Sequence, residues 1–150
     1  VCLDECVNYN NNIYAELISD SMGIHVDPYM QRLVRKIKGP DKIILISDQT
    51  IHEPMHVPGL EHVTDLNFTY RASGGIDISG SKLTLNVACR NFMVHTGASV
   101  VDVFKMAAYN PAKVLGMTDR GHIAVGKRAD LVLVDHKMNV EKVLFEGEEI

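Results

Sequence analysis

Two apolar stretches separated by a helical pattern organise the first third of the chain. Ile13 to Ile18 reads as one strand, and Ile43 to Ile46 reads as a second, unbroken apolar one of the kind that parallel sheets bury. Between them Met30, Leu33, Val34 and Ile37 fall at i, i+3, i+4 and i+7, the spacing of a single helix face. Asp27 stands where a cap is needed, Pro28 suits the first turn, and Gly39-Pro40 ends the element. Strand, helix and strand in this order predict a βαβ unit, whose crossover makes the two strands parallel neighbours. The loop from Ser19 to His25 and the segment Ser47-Asp48 then open on the same rim.

Periodicity fades between residues 49 and 66, a segment with three histidines and two prolines that predicts a long loop over that rim. Asn67 to Arg71 and Ile76 to Ile78 flank Ser73-Gly74-Gly75 as a small hairpin. Ser79-Gly80-Ser81 is expected to form a turn and the N-cap of a helix from about Leu83 to His95, stopped by Gly97. A second helix starts at Ser99 with Val100, Val103, Phe104, Ala107 and Ala108 on one face, and Asn110-Pro111 opens a short third helix that Gly116 closes. Beyond Met117 the pattern turns to short β segments at Gly121 to Ile123, Leu131 to Asp135 and Val143 to Phe145. The boundary near Gly116 divides the chain into an α/β part, 1–116, and a β part, 117–150.

Composition narrows the classes of function. With 46% hydrophobic and 23% charged residues in a chain of 150, a folded domain with a real core is expected rather than disorder. The net charge of -4 gives no broad attraction to nucleic acid or to an anionic membrane, and no apolar run approaches the roughly 18 residues of a membrane span. Cys2, Cys6 and Cys89 form no CxxC pair and no signal-peptide pattern precedes them, so reduced thiols in a cytoplasm are expected. The chain opens at Val1 and passes through an acidic, amide-rich stretch before its first strand, from which a piece of a longer protein is expected.

Asp48 is the leading candidate for chemistry, because barrels of alternating strands and helices carry their catalytic groups at the C-terminal ends of strands. His25 stands beside a helix N-terminus, a place where an imidazole can help to hold an anion such as phosphate. Alone, Asp48 reads equally well as a turn or cap residue and His25 reads mostly as an ordinary loop residue, but one βαβ unit aims both at a shared cleft. At Ser79-Gly80-Ser81 the glycine allows a ligand close to the backbone, with hydroxyl and amide groups free for sugar-like hydroxyls. His52-Glu53-Pro54-Met55-His56 matches the HExxH pattern of zinc proteases. Pro54 between the histidines and Pro58-Gly59 after them disfavour the helix that would align the two imidazoles. There is no Gly-x-Ser-x-Gly elbow, and neither Cys2 nor Cys6 has an activating context.

Taken together, several passages resemble one family. Asn110-Pro111-Ala112-Lys113-Val114-Leu115-Gly116, followed by Asp119 to Val132, is similar to the closing segment of the amidohydrolase superfamily. Gly23-Ile24-His25-Val26, the passage from Lys38-Gly39 to Ser47-Asp48, and Ser79-Gly80-Ser81-Lys82-Leu83-Thr84-Leu85 with Arg90-Asn91 resemble, within it, the N-acetylglucosamine-6-phosphate deacetylases. The resemblance runs from about Leu17 to the C-terminus and is weakest over 49–75. It implies an α/β fold, the C-terminal part of a metal-dependent-hydrolase TIM (β/α)8 barrel plus part of a small β-sandwich domain.

By the same resemblance Asp48 is the general base and acid, taking a proton from a metal-activated water and passing it to the departing amine. His25 binds the substrate near its phosphate, and Ile78, Ser79 and Gly80 line the sugar site. The products are glucosamine 6-phosphate and acetate, in cytoplasmic amino-sugar catabolism. The divalent metal, zinc or iron, is held in the family by a glutamate and two histidines on earlier strands, and nothing before Leu17 resembles them. The isolated chain is therefore expected to lack a complete metal site and to need the missing N-terminal part of the protein, or self-association, to cover its open edges. A homodimeric parent is implied. Two departures stand out: the Ser-Asp-Ser-Met-Gly approach to His25 is longer than the usual form, and Gln49-Thr50 replaces small residues. Two other readings remain open, namely another amidohydrolase (a cyclic-amide hydrolase or a deaminase) and a non-catalytic metal-binding or interaction domain using His52, His56 and His62.

Overall fold

The computed structural model describes residues 3–50 and 56–150. It opens on a short helix, α1 (Leu3–Tyr9), in the acidic, amide-rich stretch where no element is expected. β1 (Ala15–Ile18) follows, two residues later than the apolar run begins, and leads through the Ser19–His25 loop into α2 (Pro28–Lys38). The predicted punctuation of α2 is present: the Asp27 side chain accepts from the Tyr29 N–H at 2.7 Å, Pro28 occupies the first turn, and Gly39 is the C-cap. A single turn of 3-10 helix (Pro40–Lys42) then feeds β2 (Ile43–Ile46). The two strands pair in parallel and in step, with Ala15 opposite Ile43 and Ile18 opposite Ile46.

After the long loop, β3 (Leu66–Tyr70) and β4 (Ile76–Ser81) form the antiparallel hairpin. Ser79-Gly80-Ser81 completes β4 and does not make a turn or a cap. The N-cap of α3 (Leu85–Thr96) is Thr84, and Gly97 ends that helix in the left-handed conformation. The expectation for these serines fails because their backbone groups pair with the segment leaving β2, which extends the strand past its apolar part.

α4 (Val100–Phe104) begins at Ser99, whose hydroxyl and the Asp102 carboxylate form a reciprocal capping box. It runs on through a π-helical turn at Lys105–Tyr109 into α5 (Asn110–Val114). The π turn shifts the helical phase after Phe104, and the expected apolar face is buried only in part. Val103 alone of the five residues is fully buried, Val100 and Phe104 are each 43% exposed, and Met106, outside the expected set, is fully buried.

β5 (Leu131–Val134), β6 (Val140–Phe145) and β7 (Glu148–Glu149) form a three-stranded antiparallel sheet. Gly121 to Ile123, expected as a strand, is irregular. Gly121 takes φ 88 and lies so near α5 that a Cβ there would stand 2.6 Å from the Ala112 methyl. That backbone conformation and that proximity are incompatible with an extended strand.

The fold is thus mixed α/β, and its apolar core lies between the parallel pair and the helices that cover it: Leu17, Val34, Ile43, Leu45, Phe92, Val103 and Met106, with Met138 from the β part. No helix among the described residues is long and apolar enough to cross a membrane. One buried polar group crosses this core. The Asn110 amide, 1% exposed, donates to the carbonyls of Pro40 at 2.8 Å and Ile43 at 2.7 Å and so ties α5 to the entry of β2. Replacing Asn110 by Leu leaves both carbonyls without their donor and should lower the unfolding free energy by roughly 1–3 kcal/mol. Urea titration at unchanged slope reads that shift; an unchanged midpoint would show that the tether contributes nothing.

Candidate active site

β2 delivers Asp48 to the rim in an unusual backbone conformation. Asp48 has φ 48, in the left-handed region that non-glycine residues seldom enter and that Asp tolerates better than most. Its side chain is exposed. The end of β4 holds the backbone in that shape. The Ser81 N–H donates to the Asp48 carbonyl at 2.9 Å, the Ser81 hydroxyl donates to the Ser47 carbonyl, and the Thr50 N–H donates to the Ser81 carbonyl at 3.0 Å. Asn67, from β3, adds its amide to the Ser81 carbonyl at 3.1 Å, and the Thr50 hydroxyl bonds the Ser79 carbonyl at 3.2 Å. Ser81 is fully buried with its backbone and side-chain groups all engaged.

Gly80 fits beneath this clamp because it has no side chain. It takes φ 73, and a Cβ would stand 2.5 Å from Thr50 Cγ2 and 3.0 Å from the Asp48 carbonyl oxygen. Ser79 and Gly80 therefore lie against the segment that carries Asp48. Ile78 sits one step back on β4 opposite Phe68 and is 41% exposed. Thr50, noted in the sequence only as a departure, is the residue that closes over Gly80.

His25 lies in the loop that leaves β1, the strand beside β2. Its anchor is Asp20, which is fully buried. One Asp20 oxygen accepts from the N–H groups of Met22 at 3.1 Å and Ile24 at 2.9 Å. The other accepts from the His25 N–H at 2.8 Å and stands 3.3 Å from the His25 Nδ1. Burial pushes the Asp20 carboxyl up, but the N–H groups of Ile24 and His25 and the imidazole outweigh it and hold it below the usual aspartate value. The loop is also tied across the rim, since the Asp65 carboxylate accepts from the Ser21 N–H at 2.6 Å and from its hydroxyl at 3.0 Å. Asp20, Asp65 and Asn67 were not singled out in the sequence, and Ser81 was read there as part of a turn and cap. A strand followed by a short polar loop with Asp five residues before His was the one local signal available, and it pointed only to Asp20.

The histidine cluster gives less. His52 and Glu53 lie outside the described residues; His56 and His62 are exposed, with the His56 Nε2 3.8 Å from a Glu61 oxygen. Among the described residues no group of three or more His, Cys, Asp or Glu is arranged to hold a metal ion. Cys89 is no nucleophile, because burial pushes its thiol up to about 11.

Comparison with known proteins shows the family. The model of the amidohydrolase family matches residues 34–150. An N-acetylglucosamine-6-phosphate deacetylase of Bacillus subtilis (strain 168) is 34% identical over 143 residues, 92% of this chain and 35% of that protein. The crystal structure of an N-acetylglucosamine-6-phosphate deacetylase from Thermotoga maritima superposes with a TM-score of 0.78 at 31% identity, covering 98% of this chain and 41% of the other. An adenine deaminase of Methanothrix thermoacetophila is 41% identical, but over 58 residues, 39% of this chain and 10% of that protein. The chain spans about a third of the length of the deacetylases it matches in sequence.

Two outcomes follow from the site. Gly80→Ala should cost about 1–3 kcal/mol in backbone strain and speed amide exchange at Ser81. Adding Thr50→Ser should recover part of the loss, since it removes the Cγ2 contact but leaves φ and the Asp48 carbonyl contact in place. Because the folded Asp20 carboxyl titrates below its unfolded value of about 3.9, it contributes stability above that pH. This contribution is lost as pH falls through the lowered folded value. Urea midpoints measured from about pH 5 downward should fall less steeply in Asp20→Asn than in the wild type.

Proposed function

Because the chain belongs to the amidohydrolase family, we propose that it forms the C-terminal part of a TIM (β/α)8 barrel, residues 1–116, with strands of the accompanying small β-sandwich domain, residues 117–150. The protein that carries it removes the acetyl group from N-acetylglucosamine 6-phosphate. The observation that supports this most is Asp48, an exposed carboxylate at the C-terminal end of a parallel strand, held in a left-handed backbone by the Gly80-Ser81 end of a hairpin. The deacetylase similarity extends over 92% of the chain against 39% for the adenine deaminase, which favours the deacetylase among amidohydrolases.

In this reading the phosphate sits by His25 and the N-terminus of α2, where N–H groups and the helix dipole favour an anion. Ile78, Ser79 and Gly80 line the sugar, with main-chain groups close to its hydroxyls. Asp48 takes a proton from the attacking water as its oxygen bonds the acetyl carbon. The same carboxyl returns the proton to the nitrogen as the C–N bond breaks, releasing glucosamine 6-phosphate and acetate.

A divalent ion, zinc or iron, would polarise the acetamide carbonyl and ease deprotonation of the water. The described residues offer it no complete set of ligands, so its ligands are proposed to lie in another part of the protein. A homodimer working in cytoplasmic amino-sugar catabolism completes the proposal.

The test is acetate release from N-acetylglucosamine 6-phosphate by the full-length protein that carries this chain, supplied with metal, beside Asp48→Asn. The variant should lose roughly a hundredfold or more in kcat, the scale of a general acid–base group. His25→Asn should raise KM for the phosphorylated sugar and leave that for N-acetylglucosamine unchanged. A metal-loaded wild type that releases no acetate would refute the deacetylase assignment.

A further inference from the structure

Asp20 is the one fully buried carboxylate of the described residues that the proposed chemistry leaves unused. We infer that Asp20 is a positioning residue for His25: its carboxylate fixes the ring proton on Nδ1 and so presents Nε2 to the phosphate-bearing end of the substrate. The inference rests on the proposed reading for the role of His25, but its structural half stands without that reading.

The argument is one of donors and acceptors. An ionised carboxylate only accepts. Both Asp20 oxygens face donors: Met22 and Ile24 N–H on one, the His25 N–H and Nδ1 on the other. A neutral imidazole carries one proton, and the partner of one nitrogen decides which nitrogen bears it. Next to an acceptor Nδ1 must be the N–H, so Nε2 keeps its lone pair and becomes the free end. Since the same oxygen binds the His25 backbone N–H at 2.8 Å and faces its ring at 3.3 Å, the carboxylate sets both where the residue sits and how the ring is turned. The side chain is left 13% exposed. A residue that shaped only the loop would need the backbone bonds and would be indifferent to the ring.

Asp20→Asn reverses what the ring faces while keeping the bonds from Met22 and Ile24. The Asn oxygen can take the place of the one that serves Met22 and Ile24, and its amide nitrogen then stands where the other oxygen was. That nitrogen is a donor, so the His25 backbone N–H loses its acceptor, Nδ1 must accept and the proton moves to Nε2. The experiment uses full-length protein with 13C,15N-labelled histidine, at alkaline pH where the imidazole is neutral, with the His25 signals assigned by their loss in His25→Asn. The expected result is an Nδ1–H tautomer in the wild type and an Nε2–H tautomer in Asp20→Asn. A wild-type His25 protonated on Nε2 overturns the inference, and this requires no variant of Asp20 to fold.

Kinetics supply the functional half. Asp20→Asn should raise KM for N-acetylglucosamine 6-phosphate by about tenfold or more, the loss of one charge-assisted hydrogen bond, with kcat far less affected. In a His25→Asn background the same change should add little, because the two act as a unit. Full additivity of the two KM effects overturns the positioning role. Absence of deacetylation by the wild type would instead sink the deacetylase reading, with the tautomer result unaffected.

Discussion

Everything at the rim follows from the register in which β1 lies beside β2. Ala15 faces Ile43 and Ile18 faces Ile46, so neither strand overshoots the other, and the His25 loop and Ser47-Asp48 leave the sheet at one level. A slip of one residue in β1 would turn Ala15 and Leu17 outward and Glu16 inward. Buried polar tethers hold the register from both ends. The Lys38 ammonium donates to the carbonyls of Asn10 at 2.6 Å and Ile13 at 2.8 Å ahead of β1. Asn110 does the same for the entry of β2, and the Asn91 amide reaches the Ser19 carbonyl at the exit of β1 at 2.9 Å. Helices that cover the pair are thus fastened to the strands' main chain as well as packed on their side chains.

The hairpin adds a second constraint, which acts on Asp48 itself. A left-handed aspartate costs about 1–3 kcal/mol, and each net hydrogen bond contributes about 1 kcal/mol. The bonds from Ser81 to the carbonyls of Ser47 and Asp48, with that from Thr50 back to Ser81, are enough to offset it. The clamp explains why a glycine and a serine are adjacent here. Gly80 lets the two backbones approach, and Ser81 makes the bonds that this approach permits. A binding role for Ser79 and Gly80 is compatible with this one, because the clamp occupies the side of β4 that faces Thr50.

What was legible in the sequence was local. β2 could be read because four apolar residues in a row end in a carboxylate, and α2 because its period, cap and terminator agree. Asp48 and His25 were recognisable as rim residues for the same reason, since Asp48 stands just past β2 and His25 just ahead of α2, elements whose ends are marked. Hidden features depend on partners far away in the chain. Ser81 was misread as a cap because the strand it prolongs pairs with residues 47–50, some thirty positions earlier. The π turn at Lys105–Tyr109 was missed because it interrupts an otherwise ordinary helical period, and Asn110 owes its inward position to contacts with Pro40 and Ile43. α1 carries no apolar period, and its neighbourhood is fastened partly by a lysine almost thirty residues on.

Asp20 and Asp48 show how one residue type divides into two jobs at a single rim. Asp20 is wholly enclosed, and its lone pairs are committed to loop N–H groups and to an imidazole. Those bonds favour its charged form, and protonating it would break the loop that it organises, so it is suited to hold and not to exchange protons. Asp48 is constrained in the opposite place. Its carbonyl and its neighbours' backbone groups are bonded to β4, while the residue is exposed. A carboxylate that must take a proton from water and give it to a nitrogen needs a fixed position without committed lone pairs. Anchoring by the backbone supplies the first and leaves the second. Asp20 is held through its side chain and Asp48 through its main chain, and that difference is what the proposed role of Asp48 requires.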